Sequence, residues 1–88
     1  MPYIEKKRRD VIDNNIKMLI EQLEIQGWNP GDVNYVIFKI LRSWFNYQPR
    51  YHTICSIMGT LSSVSKEFYR KVATPYEEMA EKKNGPIT

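Results

Sequence analysis

The chain has 88 residues and a mass of 10.5 kDa, so we expect one small domain spanning residues 1–88 and no second domain. Hydrophobic residues make up 42% and charged residues 26%, as in a folded chain rather than a disordered one. The formal net charge is +3 with a pI near 9.1, far below the charge of a protein that coats DNA.

The first helix is predicted to begin at Asp13 and to end at Gly27. Asp13 is a common N-cap residue, and Gly27 tolerates the left-handed conformation that ends many helices. Between them, apolar residues recur at the helical spacing i, i+3, i+4 and i+7, namely Ile16, Leu19, Ile20 and Leu23. Residues 28–31 then predict a turn, because proline presets its own φ and glycine tolerates positive φ.

The second helix is predicted to begin at an Asp32 cap and to end before Pro49. Its β-branched residues would also suit a strand, but the cap, the length and a polar stripe on the opposite side favour a helix. The expected inner face comprises Val33, Val36, Ile37, Ile40, Leu41 and Trp44.

The third helix is predicted to begin near Arg50. Its apolar stripe comprises Ile54, Ile57, Met58, Leu61, Val64, Phe68 and Val72. Another face carries small residues one turn apart, and these would let a second helix approach closely, which would explain a mid-helix glycine. We therefore expect a helix-packing contact or an interface at Cys55, Gly59 and Ser62.

Thr74, Pro75 and Glu77 match the capping-box pattern and predict a short fourth helix that ends near Asn84 and Gly85. Short loops between helices favour antiparallel neighbours. The sequence thus predicts an all-α fold, a compact three- to four-helix bundle whose last helix is long and kinked or split at Pro75.

Cysteine and histidine occur once each, as Cys55 and His52. A single cysteine forms no intramolecular disulfide, and structural zinc needs four ligands, so we expect no disulfide framework, no metal and no cofactor. His52 and Cys55 are three residues apart and could pair as base and thiol, but a lone helical cysteine is usually a small buried hydrophobe. The chain shows neither a signal peptide nor a membrane span, so we expect a cytoplasmic protein.

The basic residues are concentrated in the middle of the chain. Residues 33–71 carry six basic residues against one acidic residue, and they hold eight of the eleven aromatic residues. Cations among aromatic rings are typical of surfaces that bind nucleotides or single strands, and equally of an aromatic core with a solvated face. The short cluster Lys6–Arg9 could contact phosphates, although such a cluster is more often a solvated turn of helix.

The candidate anion site combines one face of each of two helices. Lysine and arginine would pair with phosphate oxygens there, and tyrosine would stack on a base; half-buried tyrosines at a core rim would give the same pattern. The candidate residues are Tyr35, Lys39 and Arg42 on the second helix, with Lys66, Tyr69 and Arg70 on the third.

Four segments have a distinctive sequence: residues 1–4 (Met-Pro-Tyr-Ile), 34–37 (Asn-Tyr-Val-Ile), 67–70 (Glu-Phe-Tyr-Arg) and 75–77 (Pro-Tyr-Glu). Together they resemble a family of small uncharacterised phage and bacterial proteins, over nearly the whole chain. Family members usually end in Asn-Gly-Asp-Val-Tyr, whereas residues 84–88 read Asn-Gly-Pro-Ile-Thr. The resemblance implies a viral or mobile-element setting, where small proteins often bind host components, and it implies no activity.

Two functions follow. The first is a non-enzymatic, phage-type interaction protein that forms a homo-oligomer and binds a host protein, in the host cytoplasm if phage-encoded. The second is a binder or sequesterer of an anionic nucleotide-type ligand, either a cyclic oligonucleotide or single-stranded nucleic acid. An enzyme is not expected, because the sequence has no glycine-rich phosphate loop and no recognisable set of catalytic residues.

Overall fold

The computed structural model describes residues 4–85, which are almost entirely helical and contain no strand. The all-α prediction is confirmed. In chain order the elements are α1 (Lys6–Ile25), α2 (Pro30–Tyr47), α3 (Tyr51–Phe68), a π-helical segment (Tyr69–Ala73) and α4 (Thr74–Asn84).

The described residues divide into two compact units, 4–53 and 54–85. The first unit contains α1 and α2, and the second contains most of α3, the π-helical segment and α4. The boundary falls in the first turn of α3. That the chain is a single domain stays a prediction.

Helix α1 begins at Lys6, so the predicted Asp13 cap is wrong. Residues 6–11 are mostly charged and carry no apolar period, which hid the first turns of the helix from sequence analysis. No side chain caps this end, because Glu5 makes no capping hydrogen bond. Charged residues with good helix propensity therefore extend α1 beyond its apolar stripe.

The end of α1 is a left-handed turn at two successive residues. Gly27 has φ 78° and Trp28 has φ 57°. The Gly27 N–H donates to the Glu24 carbonyl and the Trp28 N–H donates to the Leu23 carbonyl, each at 2.9 Å. These bonds satisfy carbonyls that the helix end would otherwise leave free, as the glycine predicted.

Helix α2 is capped by Asn29, and the predicted Asp32 cap is wrong. The Asn29 side-chain oxygen accepts a hydrogen bond from the Gly31 N–H at 2.9 Å. Pro30 then occupies the first helical position, where its missing N–H costs nothing. Asp32 lies in the first turn, where its negative charge is favourable near the positive end of the helix dipole.

Helix α3 continues into α4 without a break, giving a helical run from Tyr51 to Asn84. The backbone at Thr74 is helical (φ −62°, ψ −50°) and its side chain makes no cap bond, so the predicted capping box is wrong. Instead, the Thr74 N–H donates to the Tyr69 carbonyl, five residues earlier. The helix is not split at Pro75, because the wider π turn gives room to the proline ring, which would clash with a carbonyl in a regular α-helix. A kink there stays a prediction.

Side-chain burial is very low. Among residues 4–85, Ile57 at 9% exposure is the one buried apolar residue, and Thr53 at 3% is the one buried polar residue. In the first unit, neither α1 nor α2 has a buried residue, and these two helices do not pack along their lengths. The compact bundle is therefore not confirmed, because a short turn joins helix ends without forcing the helix axes to align.

Two glycine substitutions should have opposite effects on stability. Gly27→Ala places a Cβ in the left-handed region and should lower the free energy of unfolding by about 1 kcal/mol. Gly59→Ala should raise it by about 1 kcal/mol, because Gly59 is helical and an added Cβ would meet no described atom within 4 Å beyond its neighbours and the backbone of its own helix. Urea unfolding followed by circular dichroism, at one protein concentration, measures both. A loss of stability at Gly59 would instead mean that another chain packs there.

Candidate functional site

Helix α2 carries one half of the predicted anion site on one exposed face. The Lys39 Nζ lies 5.9 Å from the centroid of the Tyr35 ring, and the Arg42 guanidinium carbon lies 5.9 Å from that of Phe45. Tyr35 and Phe38 are each 63% exposed. We call Tyr35, Phe38, Lys39 and Arg42 the α2 cationic face. It presents two cations and two rings to solvent, and each cation lies near an aromatic ring of its own helix.

The other half of the predicted site lies beside acidic residues. Arg70, in the π-helical segment, forms an ion pair with Glu67 one turn earlier. The Tyr69 hydroxyl donates to a Glu77 carboxylate oxygen at 3.5 Å, a long hydrogen bond. A carboxylate next to Arg70 offsets the charge that would attract a phosphate. This half is therefore less suited to an anion than the α2 half.

Lys66 completes the predicted set, in the last turn of α3. The α2 residues belong to the first unit, whereas Lys66, Tyr69 and Arg70 belong to the second. That the two halves form one site stays a prediction.

The small-residue face of α3 is open. Cys55 is a free, exposed thiol, and Gly59 and Ser62 are exposed. Apart from its neighbours and the backbone of its own helix, no described atom comes within 4 Å of a Cβ built on Gly59. The helix-packing contact predicted at Cys55, Gly59 and Ser62 stays a prediction. A contact between copies at this face stays a prediction.

The described residues offer little else that could hold a small molecule or ion. No three His, Cys, Asp or Glu side chains within residues 4–85 lie close enough to share a metal ion. One surface hollow on α4, about 510 Å³ in volume, is lined by Glu78, Glu81, Lys82 and Gly85. These residues come from the last turns of one helix and its C-cap, so the hollow is a shallow surface feature. Over the same residues, no helix is both long and apolar enough to span a membrane.

Apolar side chains lie exposed along both α1 and α2, and sequence analysis expected those of α2 to form an inner face. On α1 the apolar residues Ile12, Ile16, Leu19 and Leu23 follow one another at spacings of four, three and four residues. Ile12, Ile16 and Leu19 are 43%, 45% and 37% exposed, and Leu23 is partly exposed. We call these four residues the α1 stripe. Their spacing is the heptad pattern of helices that pair with other helices, a signal visible once Ile12 is included.

Helix α2 carries a second stripe of the same kind, comprising Ile37, Ile40, Trp44 and Tyr47, at spacings of three, four and three residues. We call it the α2 stripe. The exposed fraction is 41% at Ile37, 57% at Ile40, 36% at Trp44 and 84% at Tyr47. All but Tyr47 belong to the inner face expected for this helix. The four side chains instead form an apolar edge that no part of the first unit covers.

A known protein family matches nearly the whole chain. A family model described as a domain of unknown function, DUF6899, matches residues 1–87. No curated protein and no solved structure matches the chain. The match agrees with the resemblance to an uncharacterised family, whereas a phage and bacterial distribution stays a prediction.

The alternative function, nucleotide binding, depends on the α2 cationic face and can be tested there. We expect a fluorescein-labelled oligo-dT of about 12 nucleotides to bind with a Kd near 100 μM or tighter at low salt. Lys39→Glu/Arg42→Glu should abolish binding, because it reverses both cations of the face. The matched control Lys82→Glu/Lys83→Glu, on α4, should leave it unchanged. Fluorescence anisotropy measures all three. No binding by the unaltered chain would contradict this function.

Proposed function

The chain belongs to the DUF6899 family, a domain of unknown function, and we propose that it is a non-enzymatic interaction protein that forms a homo-oligomer and binds a host protein partner. Exposure of apolar side chains carries the proposal. Twenty-five large apolar residues among those described are exposed, and Ile57 is the one that is buried. Single exposed apolar residues are ordinary, but contiguous stripes mark surfaces that contact another molecule.

The energetics support an external partner. Burying one large apolar side chain stabilises a fold by about 1.5–3 kcal/mol, whereas ordering each residue costs about 1–2 kcal/mol of conformational entropy. Most of the stability of helices such as α1 and α2 comes from packing an amphipathic face, rather than from helix propensity. Within the first unit, no residue of α1 or α2 is buried, so packing inside that unit does little to offset that cost. Association would supply the missing burial.

The α1 and α2 stripes support helix pairing as the mode of association. Heptad spacing keeps apolar residues on the side of a helix that faces a partner helix. Each chain carries two such stripes, so a homo-oligomer could bury two apolar surfaces per chain. The phage setting and the host partner enter the proposal from the family resemblance.

The proposal predicts that folding is coupled to association. Light scattering after size-exclusion chromatography should give a mass that is a multiple of 10.5 kDa. The thermal midpoint should fall by several degrees over a hundredfold dilution, because association stabilises the folded state by mass action. A monomer at every concentration, with a midpoint independent of dilution, would contradict the proposal.

The host partner needs its own test. A host protein captured by the chain should, when purified separately, form a complex of defined stoichiometry with the purified oligomer, measured by light scattering. Capture that cannot be reproduced with the two purified components would count against a direct partner.

A further inference from the structure

Helix α2 carries two different surfaces on opposite sides. At about 100° of rotation per residue, the centre of the α2 cationic face lies about 170° around the helix axis from the centre of the α2 stripe. A neighbour that packs on the α2 stripe therefore leaves the α2 cationic face in water. The two surfaces can be occupied at the same time by different molecules.

The α2 cationic face differs from an ordinary solvated helix face. Phe38 and Tyr35 are one turn apart and each is 63% exposed, so two large rings adjoin on the surface. Solvated helix faces commonly place an acid one turn away from a cation. Residues 33–53 contain no acid, so neither Lys39 nor Arg42 has such a neighbour on α2. The face thus combines open rings with cations that lack local acidic partners.

Asp32 is the acid nearest to this face in the sequence. It lies in the first turn of α2, seven residues before Lys39, which is about 10 Å along the helix axis. Neither Lys39 nor Arg42 forms an ion pair with another described residue. Within the described part of the chain, the positive charge of the face is therefore uncompensated.

We infer that the α2 cationic face is where the host partner binds, and that the partner presents an acidic segment carrying apolar side chains. This inference rests on the proposed function and names the chemistry of its partner. Carboxylates would pair with Lys39 and, bidentately, with Arg42, while apolar side chains would pack on Tyr35 and Phe38. Arginine and aromatic residues are also the side chains enriched at the centres of protein interfaces.

The face suits an acidic protein segment better than a nucleic acid. Proteins that hold a single strand combine aromatic rings with a basic groove that follows the strand, and their affinity grows with the number of phosphates paired. Helices α1 and α2 do not pack along their lengths, so they form no groove beside the face. Lys39 and Arg42 lie one turn apart, which matches two carboxylates on one segment but covers little of a phosphate backbone.

Labelled peptides of about 16 residues test the inference, by fluorescence anisotropy with the full chain at low salt. The acidic-apolar peptide repeats Asp-Glu-Leu-Phe, the acidic-polar peptide repeats Asp-Glu-Ser-Gly, and the basic-apolar peptide repeats Lys-Arg-Leu-Phe. The acidic-apolar peptide should bind at least about tenfold more tightly than either of the others, because it alone complements both the cations and the rings. Equal binding of the basic-apolar peptide would overturn the inference, since the contact would then be apolar alone.

Substitutions locate the bound peptide on the chain. Lys39→Glu/Arg42→Glu should abolish binding of the acidic-apolar peptide, because it replaces both cations by acids. Tyr35→Ala/Phe38→Ala should weaken binding by about tenfold, because it removes both open rings. Unchanged binding by the charge-reversed chain would overturn the inference.

Loss of binding is distinguishable from loss of fold. Helicity by circular dichroism and mass by light scattering should be unchanged in Lys39→Glu/Arg42→Glu, because the α2 stripe lies on the other side of the helix. If that chain loses helicity, the milder Lys39→Gln/Arg42→Gln decides, and it should weaken binding by about tenfold. The matched control Lys82→Glu/Lys83→Glu on α4 should bind the peptide as the unaltered chain does.

The remaining outcomes separate this inference from the two functions. An oligo-dT of equal charge that binds at least as tightly as the acidic-apolar peptide would overturn the acidic partner in favour of nucleic acid. A purified host partner whose complex is unaffected by Lys39→Glu/Arg42→Glu would overturn this binding face and leave the proposed function standing. A chain that is monomeric at every concentration but binds the peptide would contradict the oligomer and support the face.

Discussion

A stable fold must remove apolar side chains from water, and this constraint governs the structure. Within residues 4–85 most large apolar side chains are exposed. Ile57 is buried, whereas the α1 and α2 stripes stay open. Backbone hydrogen bonds within a helix contribute little net free energy in water, because the unfolded chain bonds to water equally well. The stability of these helices therefore depends on burying the stripes against something beyond the unit that carries them. The proposed oligomerisation and the proposed host contact would both meet that single requirement.

Local structure was predictable from sequence where one residue dominates the local energetics. Gly27 ended α1 because few other residues adopt a positive φ without strain, and Pro49 ended α2 because the residue before a proline avoids the helical region. The caps were less predictable, because two suitable residues stood close together. Asn29 and Asp32 can both cap a helix, and Pro30 favoured Asn29 by occupying the first helical position.

The packing was not predictable from the same patterns. A stripe such as that on α1 shows which side chains avoid water, but the same stripe suits a monomer core and an interface equally well. The anion site shows the same limit. Spacing placed Tyr35, Lys39 and Arg42 on one face of α2, because that is a local property of a helix. Whether residues of the second unit join them depends on long-range packing, and the spacing of residues along a helix carries no information about that packing. Glu67, three residues before Arg70, was visible in the sequence as a competing partner for that guanidinium.

The π-helical segment has a consequence for how the last helix presents its side chains. A π turn holds more residues than an α turn, so each residue within it advances less around the axis. The π turn therefore rotates the apolar side chains of α4, such as Tyr76 and Met79, relative to those of α3, such as Phe68, by a different angle from the one that a regular α-helix would give. Both groups are exposed, with Phe68 at 61%, Tyr76 at 72% and Met79 at 71%. The π turn thus resets which side chains of α4 lie in line with those of α3, while the helix itself stays unbroken.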